Sequence, residues 1–78
     1  MGGPSATLDV RDMLCAQALA QTDRALRGLS VDGALEVRCN TQEVVQDLLT
    51  WASDQGHIVV HTKAQDGETR ITLQRARR

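Results

Sequence analysis

Nearly every strand-like stretch of this chain alternates apolar with polar residues, and that habit restricts the fold more than any other feature. Over residues 6–10, Leu8 and Val10 fall to one side and Thr7 and Asp9 to the other. Leu35, Val37 and Cys39 alternate with Glu36 and Arg38, and Thr69, Ile71 and Leu73 alternate with Arg70 and Thr72. A period of two gives a strand one apolar face, whereas strands buried on both faces read as continuous apolar runs. A sheet built from these segments has one covered face and one open face, so everything that covers it must lie on a single side.

The covering elements stand between the strands. After Cys15, small or apolar residues recur at Ala18, Leu19, Thr22, Ala25, Leu26 and Leu29, the spacing of an amphipathic helix that Gly28 either ends or completes. A second stripe runs through Val44, Val45, Leu48, Leu49 and Ala52, capped by Asn40 or Thr41, with Glu43 in the first turn and a left-handed Gly56 closing the helix. Asp32-Gly33 signals a turn, and Asp66-Gly67 a hairpin between a strand at 57–63 and one at 69–74. In the first of these, Ile58 and Val60 oppose His57 and His61, with His61 toward solvent. The element order is βαβαββ. Right-handed crossovers then put both helices on one face, predicting an α/β (α+β) two-layer sandwich with a mixed four-stranded sheet. The domain is expected over residues 6–74, between a flexible N-terminus at 1–5 and a basic tail at 75–78.

With 78 residues the chain makes one small domain, and because it has no Phe or Tyr and only Trp51, its core must come from Leu, Val, Ile and Ala. Trp51 flanks the stripe of the second helix, as packing first and as a partner-docking surface second. No apolar run approaches the ~20 residues that span a bilayer, and no leader pattern opens the chain, so no membrane and a cytoplasmic address are expected. A net charge of −1 gives no field to recruit nucleic acid. Arg38, Arg70 and the arginine tail would be its only footing, without stacking aromatics, so nucleic acid is not an expected partner. His57, His61, Cys15 and Cys39 lack metal-ligand spacing, and no metal or other cofactor is expected. Asp47 and Asp54 are read as solvated charges on the outer side of the second helix.

Two cysteines remain, both read as free thiols in a reducing compartment. Cys39 shares the inward side of its strand with Leu35 and Val37 and is read as a small core residue. Cys15 stands where strand gives way to helix. A thiol there faces unpaired backbone N–H groups and the positive end of the helix dipole, which favour the reactive thiolate, and Arg11 adds a nearby positive charge. The competing reading of Cys15 is an apolar plug at the helix start.

Leu8, Asp9, Arg11 and Cys15 are spaced as Leu-Asp-x-Arg-x-x-x-Cys. This resembles the opening of the TusA/SirA sulfur carrier family, Leu-Asp-x-Arg-Gly-x-x-Cys-Pro-x-Pro. Gly33-Ala34-Leu35-Glu36-Val37 is similar to the family's Gly-x-x-Leu-x-Val in shortened form, and Trp51 with Gly56-His57 to its Trp-x(4)-Gly-His segment. Asp12 stands in place of the glycine, and Ala16 and Ala18 in place of the two prolines. The Asp12 carboxylate is expected to oppose ionisation of Cys15, and its Cβ to stiffen or redirect the loop.

The resemblance implies a mixed four-stranded sheet under two helices and a sulfurtransferase-like relay with no independent turnover. Cys15 would hold a persulfide, Arg11 would stabilise the thiolate, and sulfur would pass from a cysteine desulfurase or rhodanese-like donor to a thiol acceptor protein. The departures from the motif support an alternative, a non-catalytic binding or regulatory module on the same fold.

Overall fold

A computed structural model describes residues 6–30 and 32–75, so the expected flexible N-terminus, Val31 and the tail arginines Arg77 and Arg78 lie outside the described residues. The chain forms β1 (Ala6–Asp9), α1 (Cys15–Arg27), β2 (Ala34–Cys39), α2 (Gln42–Asp54), β3 (Ile58–Gln65) and β4 (Glu68–Gln74). The strands assemble in the order β1-β2-β4-β3. β1 and β2 are parallel because α1 carries the chain back between them, and β4 runs antiparallel to both β2 and β3.

Register follows the apolar alternation. Leu8 pairs with Val37, Val37 with Ile71, and Leu35 with Leu73, so two rows of inward side chains cross the sheet. The core joins Val10, Leu35, Val37, Cys39, Ile71 and Leu73 to Ala18 and Leu26 of α1 and to Val44, Val45, Leu48 and Ala52 of α2. At roughly 1.5–3 kcal/mol per fully buried aliphatic side chain, this single layer supplies most of the driving force. Thr22 is the one polar side chain buried in it among the described residues, and its hydroxyl is satisfied by donating to the Ala18 carbonyl at 2.8 Å.

The turns behave as their residues require. Gly56 follows the end of α2 at φ 80°, the left-handed position where a Cβ is unwelcome. Asp66 and Gly67 both take positive φ, matching the twist of a two-residue hairpin. α1 ends at Gly28 with ordinary helical angles, so that glycine is not needed for a left-handed stop.

The alternation in β3 does not become a covered row. Its whole length is exposed, with Ile58 at 55% and Val60 at 53%. β3 is the outermost strand, while complete burial in the sheet strands is confined to β2 and β4. The register also shifts between Val59 and His61, leaving Val60 unpaired and changing which side chains face the helices.

Candidate functional site

Because β1 and β2 run parallel and each is followed by its own helix, α1 and α2 start at the same end of the sheet. Cys15 is the first residue of α1, and the loop that delivers it is tightly specified. Asp12 takes φ 66°, a conformation that favours glycine and that a short carboxylate tolerates better than most side chains. Its backbone N–H donates to Asn40 Oδ1 at 2.9 Å, and Asn40 Nδ2 donates back to Asp12 Oδ1 at 2.8 Å. The loop before the thiol is thereby clamped to the loop that launches α2. Leu14 occupies the N-cap, where its N–H donates to Gln17 Oε1 at 3.1 Å, while its side chain stands 73% exposed beside the thiol.

Cys15 is half-buried and unpaired with Cys39, at the rim of an open depression of about 440 Å³ lined with Gln42, Glu43, Gln46 and Asp47. The neighbouring Asp47 carboxylate pushes the thiol pKa up, and partial desolvation and the charge of Glu43 act in the same direction. Its own backbone N–H pulls the other way and is outweighed. The direction of this shift runs against the expected thiolate-favouring environment, and its source is the acids on α2. The carboxylates responsible are Asp47 and Glu43, while Asp12 turns to Asn40.

Arg11 commits its guanidinium to Asp9, with Nε donating at 2.9 Å and Nη2 at 2.7 Å, and Nη1 lies 3.7 Å from Glu68. That pairing holds the Asp9 carboxyl well below the usual carboxylate range. The structure thus groups Cys15 with Asp47 and Glu43, and places Arg11 on the open face of the sheet with Asp9 and Glu68. On that face Glu68 accepts from Arg38 at 2.7 and 3.0 Å and from Arg70 at 2.9 Å. These hydrogen bonds hold its carboxyl down to about 2. Both strand arginines considered for nucleic acid are therefore paired to one carboxylate, which offsets one of their two charges.

Cys39 is fully buried, and desolvation raises its thiol to about 11. Trp51 is half-buried against the core, its ring 5.3 Å from that of His57 and tilted by 42°. Burial lowers the His57 pKa. His61 is exposed. His57 and Asp54 border a second cavity of about 340 Å³ with Asp23, Arg27 and Arg75, at the opposite ends of the helices from Cys15.

Asp47 is exposed, as its reading as an outward solvated charge expects; that reading does not use its place on the same depression as Cys15. The available signal was its four-residue spacing from Glu43, flanking Val44 and Leu48, together with two helices that must start side by side.

Among the described residues no helix is long and apolar enough to cross a membrane. A comparison with curated proteins returns no match. Among solved structures, a SirA-like protein from Desulfitobacterium hafniense is similar in fold, with a TM-score of 0.80 and 20% identity, covering 91% of this chain and 97% of that one. The sulfurtransferase TusA family matches residues 6–75, the whole of the sheet and both helices. The chain belongs to the sulfurtransferase TusA family, and so to the proteins that handle transferable sulfur.

Proposed function

We propose that this chain is a sulfur relay protein that carries a persulfide on Cys15 between a donor protein and a thiol acceptor. The observation that carries the reading is the position of Cys15, first residue of α1 and accessible at the rim of an open depression, in a chain of a sulfurtransferase family. In the loading step Cys15 Sγ attacks the outer sulfur of a donor persulfide R–S–SH. A Cys15 S–S bond forms, the donor S–S bond breaks, and the donor leaves as thiolate to collect the proton that Cys15 gives up. The sum is R–S–SH plus Cys15–SH giving R–SH plus Cys15–S–SH, with no external oxidant or reductant. Delivery repeats the exchange toward the acceptor.

A cysteine desulfurase or a rhodanese-like protein is the donor class this chemistry calls for. Two free thiols suit a reducing compartment such as the cytoplasm. In this reading Arg11 acts on the loop and not on the sulfur: its pairing with Asp9 fixes the chain four residues before Cys15.

Incubation with a cysteine desulfurase and cysteine is expected to add one sulfur atom to the intact mass, removable by reductant and absent in Cys15→Ser. Loading of Cys15→Ser to the wild-type extent would refute the assignment. The alternative, a binding or regulatory module without carrier chemistry, draws on the upward shift of the Cys15 thiol. It requires that the wild-type protein remain unloaded and that partner binding survive Cys15→Ser.

A further inference from the structure

Resting on the carrier reading, we infer that Asp47 is a positioning residue for Cys15: from the facing wall of the depression they share, its carboxylate takes up the thiol hydrogen and orients Sγ toward the opening. Three observations converge on it. Asp47 and Cys15 line the same depression although they come from different helices. Glu43 lies one turn before Asp47 on α2, so both carboxylates present their charge on the side bordering the thiol. Elsewhere, Asp9 is answered by Arg11, Asp23 by Arg27, and Glu68 by Arg38 and Arg70, yet among the described residues no cation forms an ion pair with Asp47 or Glu43.

The groups that set the thiol's proton affinity are these two acids of α2, against the backbone N–H of Cys15 itself. On the loop side Arg11 is held by Asp9, and Asp12 by Asn40. An unneutralised carboxylate makes the protonated thiol the better partner, because S–H donates to it and a thiolate would be repelled. A carrier arranged this way is slow toward stray electrophiles, while a docked persulfide donor supplies the leaving sulfur that takes the proton. The role deepens the relay reading by giving it a brake on the thiol.

The test is the pH profile of Cys15 alkylation by iodoacetamide in the full chain, followed by peptide mass so that Cys39 is scored separately. Asp47→Asn should move the midpoint to lower pH by about half a unit or more and speed alkylation near neutrality by about three- to ten-fold, since one pKa unit is tenfold in thiolate. Glu43→Gln should shift it less, in the same direction, and Asp47→Glu should restore the wild-type midpoint. The rates should converge in the alkaline limit, where every variant is ionised; a variant that merely loosened the fold would instead raise that limit. A wild-type midpoint in Asp47→Asn would overturn the inference.

Sulfur loading from inorganic polysulfide, measured on the same samples, separates the two readings. If Cys15 never takes sulfur while the midpoints shift as described, the carrier reading fails and the Asp47 contact stands. Loading with unshifted midpoints overturns the role of Asp47 alone.

Discussion

Replacing Cys39 distinguishes a core residue from a chemical one, because serine and alanine err in opposite directions. The side chain is completely buried in the layer that joins β2 and β4 to the helices, and its strand partner is Thr69. Cys39→Ser exchanges a small apolar group for a hydroxyl in dry surroundings, at a cost of about 1–3 kcal/mol if no partner is found. Cys39→Ala removes one heavy atom, a loss of about 1 kcal/mol for transfer and residual cavity. For a domain this small each kcal/mol is worth roughly 4–8 °C in Tm, so serine should melt well below alanine, and alanine slightly below wild type.

Alkaline pH gives a second arm to the same experiment. The Cys39 thiol rises from 9.0 to about 11 on folding, so its contribution to stability is complete below pH 9 and is lost as pH climbs through 11. Cys39→Ala should flatten that limb. The assay is thermal unfolding by circular dichroism under reductant, with sulfur loading run alongside and expected at wild-type extent in both variants. A serine variant more stable than the alanine variant would refute the reasoning, since it would mean that the position offers a polar partner.

Acid should act through Glu68. Its carboxyl lies near 2 in the folded protein against an ordinary 4.5, so its contribution is present above pH 4.5 and fades as pH falls toward 2; Glu68→Gln should remove that part of the acid limb in pH-dependent unfolding. At Asp12, alanine should be worse than glycine by about 1–2 kcal/mol in urea denaturation, because both lose the Asn40 Nδ2 bond to the carboxylate and keep the backbone N–H bond, while only glycine is relieved of the left-handed backbone. Neither Asp12 variant should shift the Cys15 alkylation midpoint.

The elements legible in the sequence are those whose side chains answer to their own neighbours. Leu35, Val37, Ile71 and Leu73 alternate because one face is covered, and Val44, Val45, Leu48 and Ala52 recur because one stripe is covered, so strands, helices and layers can be written down from spacing alone. β3 defeats that logic because its burial depends on its place in the sheet. Ile58 and Val60 have the residue types of an inner strand and the exposure of an edge. The thiol was legible for the same reason as the helices, since Cys15 sits at a boundary visible in the local pattern. Its ionisation was not, because Asp47 lies 32 positions away and reaches the thiol only when two parallel units bring their helix starts together. Local sequence reports the helix dipole under Cys15 and is silent about a carboxylate on the next helix.

The departures from the family motif are tied together by that same geometry. A proline at position 18 would have no N–H, yet Ala18 is completely buried and its N–H donates to the Leu14 carbonyl at 2.9 Å, closing the first helical turn behind the thiol. Gln17 reaches back to the Leu14 N–H, so the helix start is held by hydrogen bonds in place of rigid rings. Asp12 occupies the glycine's position by accepting its left-handed backbone, and its carboxylate and N–H both engage Asn40. Asn40 immediately precedes the Thr41 cap of α2, so this clamp fixes the start of α2 relative to the loop that carries Cys15. The substitution expected to place a charge beside the thiol turns its carboxylate to Asn40 instead, and tethers one loop to the other. Changes at Asp12 are therefore predicted to act on stability, whereas changes at Asp47 act on the proton.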